Sequence, residues 1–305
     1  MSTINDLPNE VLSKIFSLLY RSYKYECLLV NRRFYSVAVL ELWKSITING
    51  HENDRTARCF SLFCIRIGER VKRLTLGYGP HHHQLVCILS YLPNLEELVL
   101  SNTPSLIEQD VLQIPNLPIE SLTIHKCDWI TSIETALHVR SFSNLIQLDV
   151  DFRLSGLAKF LRIITIDEAG IPYLPRLQYL SMGSRTLQGD DLDTAIISFL
   201  KTHPRIRYLK LRFNQISNIV FDAIICHLPD LETFLVYEPI SISAKSIRKI
   251  VYHCPKLLYV QIDHIRSTEY DFPEVHHRVR HHRLTLGYND LKHIRANQYA
   301  DIIND

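Results

Sequence analysis

The sequence predicts an α/β repeat solenoid, with a parallel sheet on its inner face and helices on its outer face, preceded by a small all-α segment. Three observations predict this fold. A six-residue template of apolar positions recurs along most of the chain, successive copies begin 24 to 32 residues apart, and the first 44 residues lack the template. A period of that length accommodates one short strand and one helix. The chain is therefore expected to divide into residues 1–44 and 45–305.

The template reads apolar-x-x-apolar-x-apolar, and the alternation in its second half is typical of a strand with one buried face. Full copies occupy residues 71–76, 95–100, 119–124, 145–150, 177–182, 206–211, 231–236 and 257–262, and an opening copy occupies residues 43–48. Residues 283–288 repeat residues 73–78 letter for letter as RLTLGY. That identity predicts a degenerate closing copy.

Apolar residues at helical spacing fill the intervals between copies. Three such sets are Leu85, Ile88, Leu89 and Leu92; Leu192, Ile196, Phe199 and Leu200; and Ile242, Ile247, Ile250 and Val251. A proline stands two residues before five of the copies. Because proline lacks the amide donor, it is expected to end the preceding helix. The longest interval, between Leu145 and Leu177, predicts a longer helix or loop around Lys159–Ile171.

The period and the strand offsets resemble leucine-rich repeats. In the longer form of that repeat an Asn or Cys follows the strand, and Cys127 and Asn214 occupy this place, whereas most other copies lack it. An ordinary doubly wound α/β domain is the alternative architecture. The short strands and their constant offsets favour a leucine-rich repeat solenoid that ends in a C-terminal cap.

Residues 1–44 have the pattern of helices with apolar side chains on more than one face. Asp6 is expected to cap the first helix, and Asn31 is expected to cap a later one over Arg32–Leu42. About 40 residues cannot bury that much apolar surface by themselves. One face is expected to rest on the solenoid through Trp43, and another is expected to dock a partner helix. The alternative is a helical cap of the solenoid, although caps normally present a polar outer face.

The helical segment also carries a combined motif. It reads Leu7-Pro8-x-Glu10-Val11-Leu12-x-x-Ile15-Phe16-x-x-Leu19, then Leu28-x-Val30-Asn31-Arg32-x-Phe34, then Leu42-Trp43. This pattern resembles an F-box. Its position before the repeats resembles F-box/leucine-rich repeat proteins, which are substrate-recognition subunits of SCF-type ubiquitin ligases. Asn31 departs from the family, where a Cys is frequent, and Phe34 stands where a Trp is frequent.

The resemblance implies that the helices bind the S-phase kinase-associated adaptor and, through it, a cullin scaffold. The repeats would hold an unknown substrate protein while a separate enzyme transfers ubiquitin, so this chain would not be an enzyme. The implied adaptor-binding residues are Leu7, Pro8, Glu10, Ile15, Phe16 and Val30. Leu7, Pro8, Ile15 and Phe16 are expected to form an exposed apolar patch. The alternative function is a leucine-rich repeat interaction scaffold unconnected with ubiquitin.

Strand alternation assigns the third, fifth and seventh positions of each copy to the inner face. Tyr179 and Tyr208 then occupy one column of adjacent strands, about 5 Å apart. Tyrosine and arginine are enriched at binding hot spots, and nearby positive charge would suit an acidic or phosphorylated segment. The predicted substrate-binding residues are Asp149, Asp151, Tyr179, Tyr208, Lys210, Arg212, Tyr237 and Tyr259. A solvated sheet face with chance aromatic residues is the alternative.

Composition argues against several other classes of protein. The chain has 34 Lys and Arg against 32 Asp and Glu, so no nucleic-acid or membrane partner is predicted. The first residues carry no signal peptide, and the seven Cys are scattered. We therefore expect a cytoplasmic or nuclear protein with reduced thiols in its core.

The sequence offers no complete catalytic or metal-binding motif. His81-His82-His83 and the pairs His276-His277 and His281-His282 lack a neighbouring acidic or Cys ligand, so no metal and no cofactor are predicted. Cys59 and Cys64 lie in an apolar helical stretch and are expected to pack in the core. Asp190-Asp191-x-Asp193 is expected at a helix N-terminus, where negative charge is favourable.

Overall fold

The computed structural model of the chain describes residues 4–49, 67–77, 88–102, 117–127, 133–152, 156–165, 170–184, 190–213, 216–237, 242–263, 271–280 and 283–297. Nine strands begin at the third position of the nine copies of the template. They are β1 (Ser45–Asn49), β2 (Arg73–Gly77), β3 (Glu97–Ser101), β4 (Ser121–His125), β5 (Gln147–Phe152), β6 (Tyr179–Ser184), β7 (Tyr208–Phe213), β8 (Thr233–Tyr237) and β9 (Tyr259–Asp263). Each strand pairs in parallel with the next, which confirms the predicted sheet.

The register of the sheet aligns the template through all nine strands. The fourth-position residues are Ile46, Leu74, Leu98, Leu122, Leu148, Leu180, Leu209, Phe234 and Val260, and none exposes more than 4% of its surface. A slip of one residue in any strand would turn these side chains to the opposite face. The buried apolar columns therefore determine the register.

Backbone hydrogen bonds repeat where each strand begins. The carbonyl of Lys44 accepts bonds from the amides of Lys72 and Arg73, both at 2.9 Å. The carbonyl of Glu120 likewise accepts bonds from Ile146 and Gln147 at 2.8 and 2.9 Å. One carbonyl thus satisfies two amides of the following repeat, and the strands start in line.

Helices cover the buried side of the sheet. They are α4 (Ile133–Ser141), α5 (Leu157–Thr165), α6 (Asp190–Thr202), α7 (Asn218–His227), α8 (Ala244–His253) and α9 (Tyr288–Ala296). The predicted apolar stripe of α6 is buried, as are Ile88, Leu89 and Leu92, while Leu85 lies outside the described residues. Prolines 204, 229 and 255 follow the ends of α6, α7 and α8 by two residues, as expected.

The described residues of the longest interval contain no helix longer than those of the neighbouring repeats. There α5 has nine residues, against thirteen in α6. The additional length includes a non-helical segment at residues 170–176, because Pro172 and Pro175 interrupt a helical backbone there. The prediction named a longer helix or a loop, and the described part of this interval agrees with the loop.

The turns after β3 and β4 share one backbone conformation. Asn102 follows β3 with φ of 51°, and Lys126 follows β4 with φ of 54°. The next residue after Lys126 is Cys127, which is buried, and its sulfur lies 3.8 Å from the carbonyl oxygen of Leu100. Cys127 thus occupies the predicted position after the strand, and its thiol is also 3.3 Å from the carbonyl oxygen of His125. Asn214 lies outside the described residues.

Three helices precede the sheet and have a core of their own. They are α1 (Asn9–Ser17), α2 (Arg21–Cys27) and α3 (Arg32–Trp43). The cluster consists of Leu12, Phe16, Phe34, Val37 and Ala38. Asn31 caps α3 as predicted, accepting a bond from the amide of Phe34 at 2.8 Å. The prediction for Asp6 is wrong, because Pro8 is the N-cap of α1 and no side chain caps it.

The helical segment continues directly into the sheet. Only Lys44 separates the end of α3 from the start of β1, and Trp43 packs against the main core of the solenoid. Both observations agree with the predicted contact through Trp43. No flexible linker separates these two elements, so the helices are held in a fixed place at the first strand.

The degenerate closing copy predicted at residues 283–288 forms a strand, but this strand is not parallel to its neighbour. Strand β11 (Arg283–Leu286) pairs antiparallel with β9 and is joined to β10 (Val279–Arg280). A parallel return needs a crossover connection, whereas a short 3-10 helix at Pro273–Arg278 precedes β10. The sheet therefore ends in an antiparallel pair, with β11 next to β9 and the two-residue strand β10 at the edge.

A buried ion pair fastens this C-terminal cap to α8. Arg248 donates to both carboxylate oxygens of Glu274 at 2.8 Å, and to the carbonyl of Asp271. The two side chains are 6% and 4% exposed. Burial alone would raise the pKa of Glu274, but the bonds from Arg248 outweigh it and hold that pKa below its ordinary value.

We expect Glu274→Gln to lower the free energy of unfolding by about 3 kcal/mol at neutral pH, because Arg248 is left buried without its counter-ion. The folded-state pKa of Glu274 is depressed, so its contribution is complete above about pH 4.5 and is lost as pH falls through the folded value. Urea unfolding across this pH range should show the difference between wild type and variant shrinking in acid. Asp230→Asn, which breaks an exposed pair with Lys256, is the control and should cost under about 1 kcal/mol.

Candidate functional site

The N-terminal helices expose an unusual amount of apolar surface. Among the described residues sixteen large apolar side chains are exposed, and ten of them lie between Ile4 and Leu40. Those ten are Ile4, Val11, Leu18, Tyr20, Tyr23, Tyr25, Leu29, Val30, Tyr35 and Leu40. Exposed apolar patches of this kind mark interfaces. The helical segment is therefore a candidate docking surface.

The predicted adaptor-binding residues divide by exposure. Pro8, Glu10 and Val30 are exposed, while Leu7 and Ile15 are half-buried. The expectation that Phe16 is exposed is wrong. Its ring is 2% exposed and packs edge-on against Phe34 at a centroid distance of 5.2 Å. Phe16 is buried within the helical segment and not against the repeats, because α1 and α3 need an apolar side chain between them.

The start of α3 holds the motif in α1 in place. Arg33 donates through Nε to the side chain of Asn9 at 2.9 Å and through Nη2 to the carbonyl of Leu7. Arg33 is the second residue of α3, which begins two residues after Val30. Its bonds therefore tie the start of α3 to the chain around Leu7 and Asn9.

The structure adds residues that sequence reasoning did not select. Leu18, Tyr20 and Leu29 are 82%, 80% and 87% exposed. All three lie at or between helix ends, where the chain turns outward and no neighbouring element covers them. The sequence could have indicated their exposure, because they lie outside the apolar stripes of α1 and α3. Those stripes hold Leu12, Phe16 and the other residues of the helical core.

A second candidate surface is the face of the sheet opposite the helices, called here the open face. The predicted column contains Tyr179 and Tyr208 side by side in register. Their rings are stacked, with centroids 4.0 Å apart and planes 12° apart. Tyr259 lies two strands further along this column, as predicted. We call Tyr179 and Tyr208 the tyrosine stack.

An ionic network lies beside the tyrosine stack. Arg212 donates to Oδ1 of Asp149 at 2.8 Å, and Nε2 of His125 lies 3.0 Å from the same oxygen. Burial would raise the pKa of Asp149, but the bond from His125 and the charge of Arg212 outweigh it and lower that pKa. Asp149 therefore remains ionised and fixes both partners.

Small residues on β6 make this network possible. Asp149 is on β5 and Arg212 is on β7, so the guanidinium must cross the strand between them. The intervening positions are Ser181 and Gly183. A Cβ on Gly183 would lie 2.9 Å from the Cβ of Arg212 and 3.1 Å from its Nε, closer than side chains pack. Arg212 therefore occupies the space that a side chain at position 183 would fill.

The tyrosine hydroxyls remain protonated at physiological pH. Burial is the largest cause that raises the pKa of Tyr208, and the neighbouring Tyr179 and Asp149 raise it further. The pKa of Tyr179 is raised as well, chiefly by burial. The tyrosine stack thus presents neutral rings and neutral hydroxyl groups to a ligand.

The positive charge expected from Lys210 and Arg212 is balanced within the structure. Arg212 is already neutralised by Asp149. The ammonium of Lys210 lies 5.0 Å from the centroid of the Tyr237 ring, and burial together with Arg212 lowers its pKa. With Asp151 on β5, the two acids and two bases of this cluster balance. Among the described residues of this cluster, Asp149 and Asp151 therefore balance the positive charge that would suit an acidic or phosphorylated segment.

The far end of the column is fixed by its own bonds. Tyr259 donates to Gln261 at 2.9 Å, and Gln261 donates to Asp263 at 3.3 Å. Arg283 on the closing strand β11 donates to both carboxylate oxygens of Asp263. These bonds join Tyr259 to the C-terminal cap.

A groove of about 650 Å³ lies between the helical segment and the start of the sheet. It runs along the starts of the first five strands, where it is lined by the second-position residues Lys44, Lys72, Glu96, Glu120 and Ile146 and by the third-position residues Ser45, Arg73, Glu97, Ser121 and Gln147. Ser17, Lys24 and Glu41 line it from the three helices. The groove ends at Gln147, whose neighbour in register is Tyr179.

The other residues that the sequence analysis considered are either placed by the structure or lie outside the described residues. Asp191 lies in the first turn of α6, as predicted, and pairs with Arg162. Cys127 and Cys254 are buried, whereas Cys226 is exposed, so the expectation that all thiols lie in the core is wrong. His81-His82-His83, His281-His282, Cys59 and Cys64 lie outside the described residues. Within the described ranges no group of three or more potential ligands could hold a metal ion, and no helix is long and apolar enough to cross a membrane.

We expect Gly183→Ala to lower the free energy of unfolding by about 1–3 kcal/mol, because the new methyl group overpacks against Arg212. A double-mutant cycle of Arg212→Ala and Asp149→Ala, measured by urea unfolding, should give a coupling of about 1 kcal/mol in the wild-type background. In the Gly183→Ala background that coupling should fall towards zero. Gly287→Ala is the matched control, because its Cβ would lie 3.7 Å from the nearest atom. An unchanged coupling in Gly183→Ala would show that Arg212 reaches Asp149 without this space.

Comparisons with known proteins support the predicted helical segment and the predicted repeat fold. Residues 4–49 match the F-box-like protein family. This match covers α1 to α3 and also β1, so it extends beyond the boundary expected at residue 44. A search of curated proteins finds no relative of this sequence.

Among solved structures, a chain in the crystal structure of the Rad7 and Elc1 complex in yeast has a similar fold. The TM-score is 0.54 and the sequence identity is 15%, over 82% of this chain and 67% of that one. At this identity the likeness concerns the fold. Residues 4–49 therefore form an F-box-like domain, and this domain leads directly into a repeat solenoid.

Proposed function

We propose that this chain is the substrate-recognition subunit of an SCF-type ubiquitin ligase. The F-box-like helices bind the S-phase kinase-associated adaptor and, through it, a cullin scaffold. The F-box-like match supports this role. The fold shared with a chain of the yeast Rad7 and Elc1 complex is compatible with it.

The observation that carries the proposal is the exposed apolar surface of the helical segment. Its buried cluster holds α1 and α3 together, yet Leu18, Leu29 and Val30 remain in water. Burying such side chains against a partner is favourable by roughly 25 cal/mol per Å² of apolar area. A simple cap would not need them, because a cap requires a polar outer face.

The solenoid supplies the second binding surface in this proposal. The open face presents the tyrosine stack and the groove on one side of a sheet that is rigidly joined to α3. A substrate bound there would be held at high effective concentration near an enzyme recruited through the helices. The chain itself then needs no catalytic group, and it works in the cytosol or nucleus, where its partners are.

Val30→Asp tests the adaptor interface. We expect it to weaken capture of the purified S-phase kinase-associated adaptor by about 2 kcal/mol, roughly 30-fold, because a carboxylate replaces an apolar contact. Ile171→Asp is the matched control, since both residues are 60% exposed and Ile171 lies far along the solenoid. The measurement is the dissociation constant for the full chain by calorimetry.

Two further outcomes decide between the functions. Leu7→Asp should weaken the same interaction, because Leu7 is a half-buried member of the proposed surface and its carbonyl is bonded to Arg33 at the start of α3. Capture of the adaptor with equal affinity by wild type, Val30→Asp and Leu7→Asp would contradict the proposed surface. Absence of any binding by the folded wild-type chain would favour the scaffold unconnected with ubiquitin.

A further inference from the structure

The groove and the tyrosine stack share one line of the sheet. Third-position residues run in register from Ser45 on β1 to Gln147 on β5 and then to Tyr179 and Tyr208. The groove is open over the first five strands, and the stack begins at the next one. These two features are therefore consecutive parts of a single surface.

We propose that this line is one binding track, and that it takes an extended, unphosphorylated segment of about nine residues from the substrate protein, with an aromatic or proline side chain on the tyrosine stack. The inference rests on the proposed function. It adds the chemical class of the segment that the receptor recognises.

The length follows from the strand spacing. Six spacings separate β1 from β7, and at about 4.8 Å each they span roughly 29 Å. An extended peptide advances roughly 3.3 Å per residue, so about nine residues reach from one end of the track to the other. A helical segment of equal length would advance only about 14 Å and would leave half of the track empty.

The pairing of the basic side chains along the track argues against a phosphorylated segment. In the groove Lys44 pairs with Glu41, Lys72 pairs with Glu96 and Arg73 pairs with Glu97. Beside the stack Arg212 pairs with Asp149, and Lys210 lies against Tyr237. A phosphate carries nearly two negative charges and is usually held by free guanidinium groups. In the described part of the track, the groove lining holds four bases and four acids, with Lys24 and Glu120 beside these three pairs, and Arg212 beside the stack is held by Asp149.

The tyrosine stack favours a flat apolar side chain. Its rings are neutral and half-buried, and the packing of each against the other fixes their orientation before a ligand arrives. Proline and aromatic side chains pack on such rings, and an extended proline-containing segment loses little conformational entropy on binding. The stack is therefore the anchor of the track, and the charge-balanced groove accepts the polar remainder of the segment.

The test uses a display library of random nonapeptides selected on the purified full chain, without the adaptor. We expect enrichment of peptides that carry proline or an aromatic residue, with near-neutral net charge. The affinity of an enriched peptide should fall at least tenfold in Tyr208→Ala and stay within threefold in Tyr288→Ala, an exposed tyrosine on α9. Tyr208→Leu, which keeps apolar volume but removes the ring, should also lose at least tenfold and covers the case in which Tyr208→Ala unfolds.

Two modified peptides complete the experiment. Trimming an enriched nonapeptide to the five residues around its anchor should weaken binding at least tenfold, and phosphoserine in place of a polar residue should weaken it to a similar degree. Enrichment of acidic peptides, tighter binding of the phosphorylated form, full affinity in the trimmed form or in Tyr208→Leu, or no enrichment would each overturn the inference. Because the adaptor is absent, failure here leaves adaptor capture by the helices untouched as a separate result.

Discussion

The alignment of two apolar columns through nine parallel strands is the constraint on which the rest of the structure depends. The fourth- and sixth-position side chains must meet their counterparts in the next repeat, so each strand has one allowed register. That register in turn places every third-position residue in one line. The tyrosine stack, the groove and the ion pairs along it are consequences of burying the opposite face.

The polar network on the open face shows how this constraint creates a site from distant residues. Arg212 and Asp149 are 63 positions apart in the chain, and they meet because β5, β6 and β7 are neighbours in register. Gly183 contributes by lacking a side chain, which leaves a path across β6. A functional surface of a repeat protein can thus depend as much on small residues as on charged ones.

The N-terminal helices follow a different rule. They bury a small cluster around Phe16 and Phe34, attach to the sheet through Trp43, and leave Leu18 and Leu29 in water. The helical core is too small to cover all of the apolar side chains that the segment carries. The apolar face that remains exposed is the one that the proposed adaptor would cover.

The sequence by itself determined the repeat, the parallel sheet and the column that joins Tyr179 to Tyr208, because these follow from a periodic pattern of burial. It also indicated the F-box-like segment, whose motif is local. Only the tertiary structure decided that Phe16 is buried, that Arg212 forms an ion pair with Asp149 and that the closing copy at β11 runs antiparallel. Each of these depends on which side chain of another element fills the adjacent space, and periodicity along one strand or helix carries no information about that neighbour.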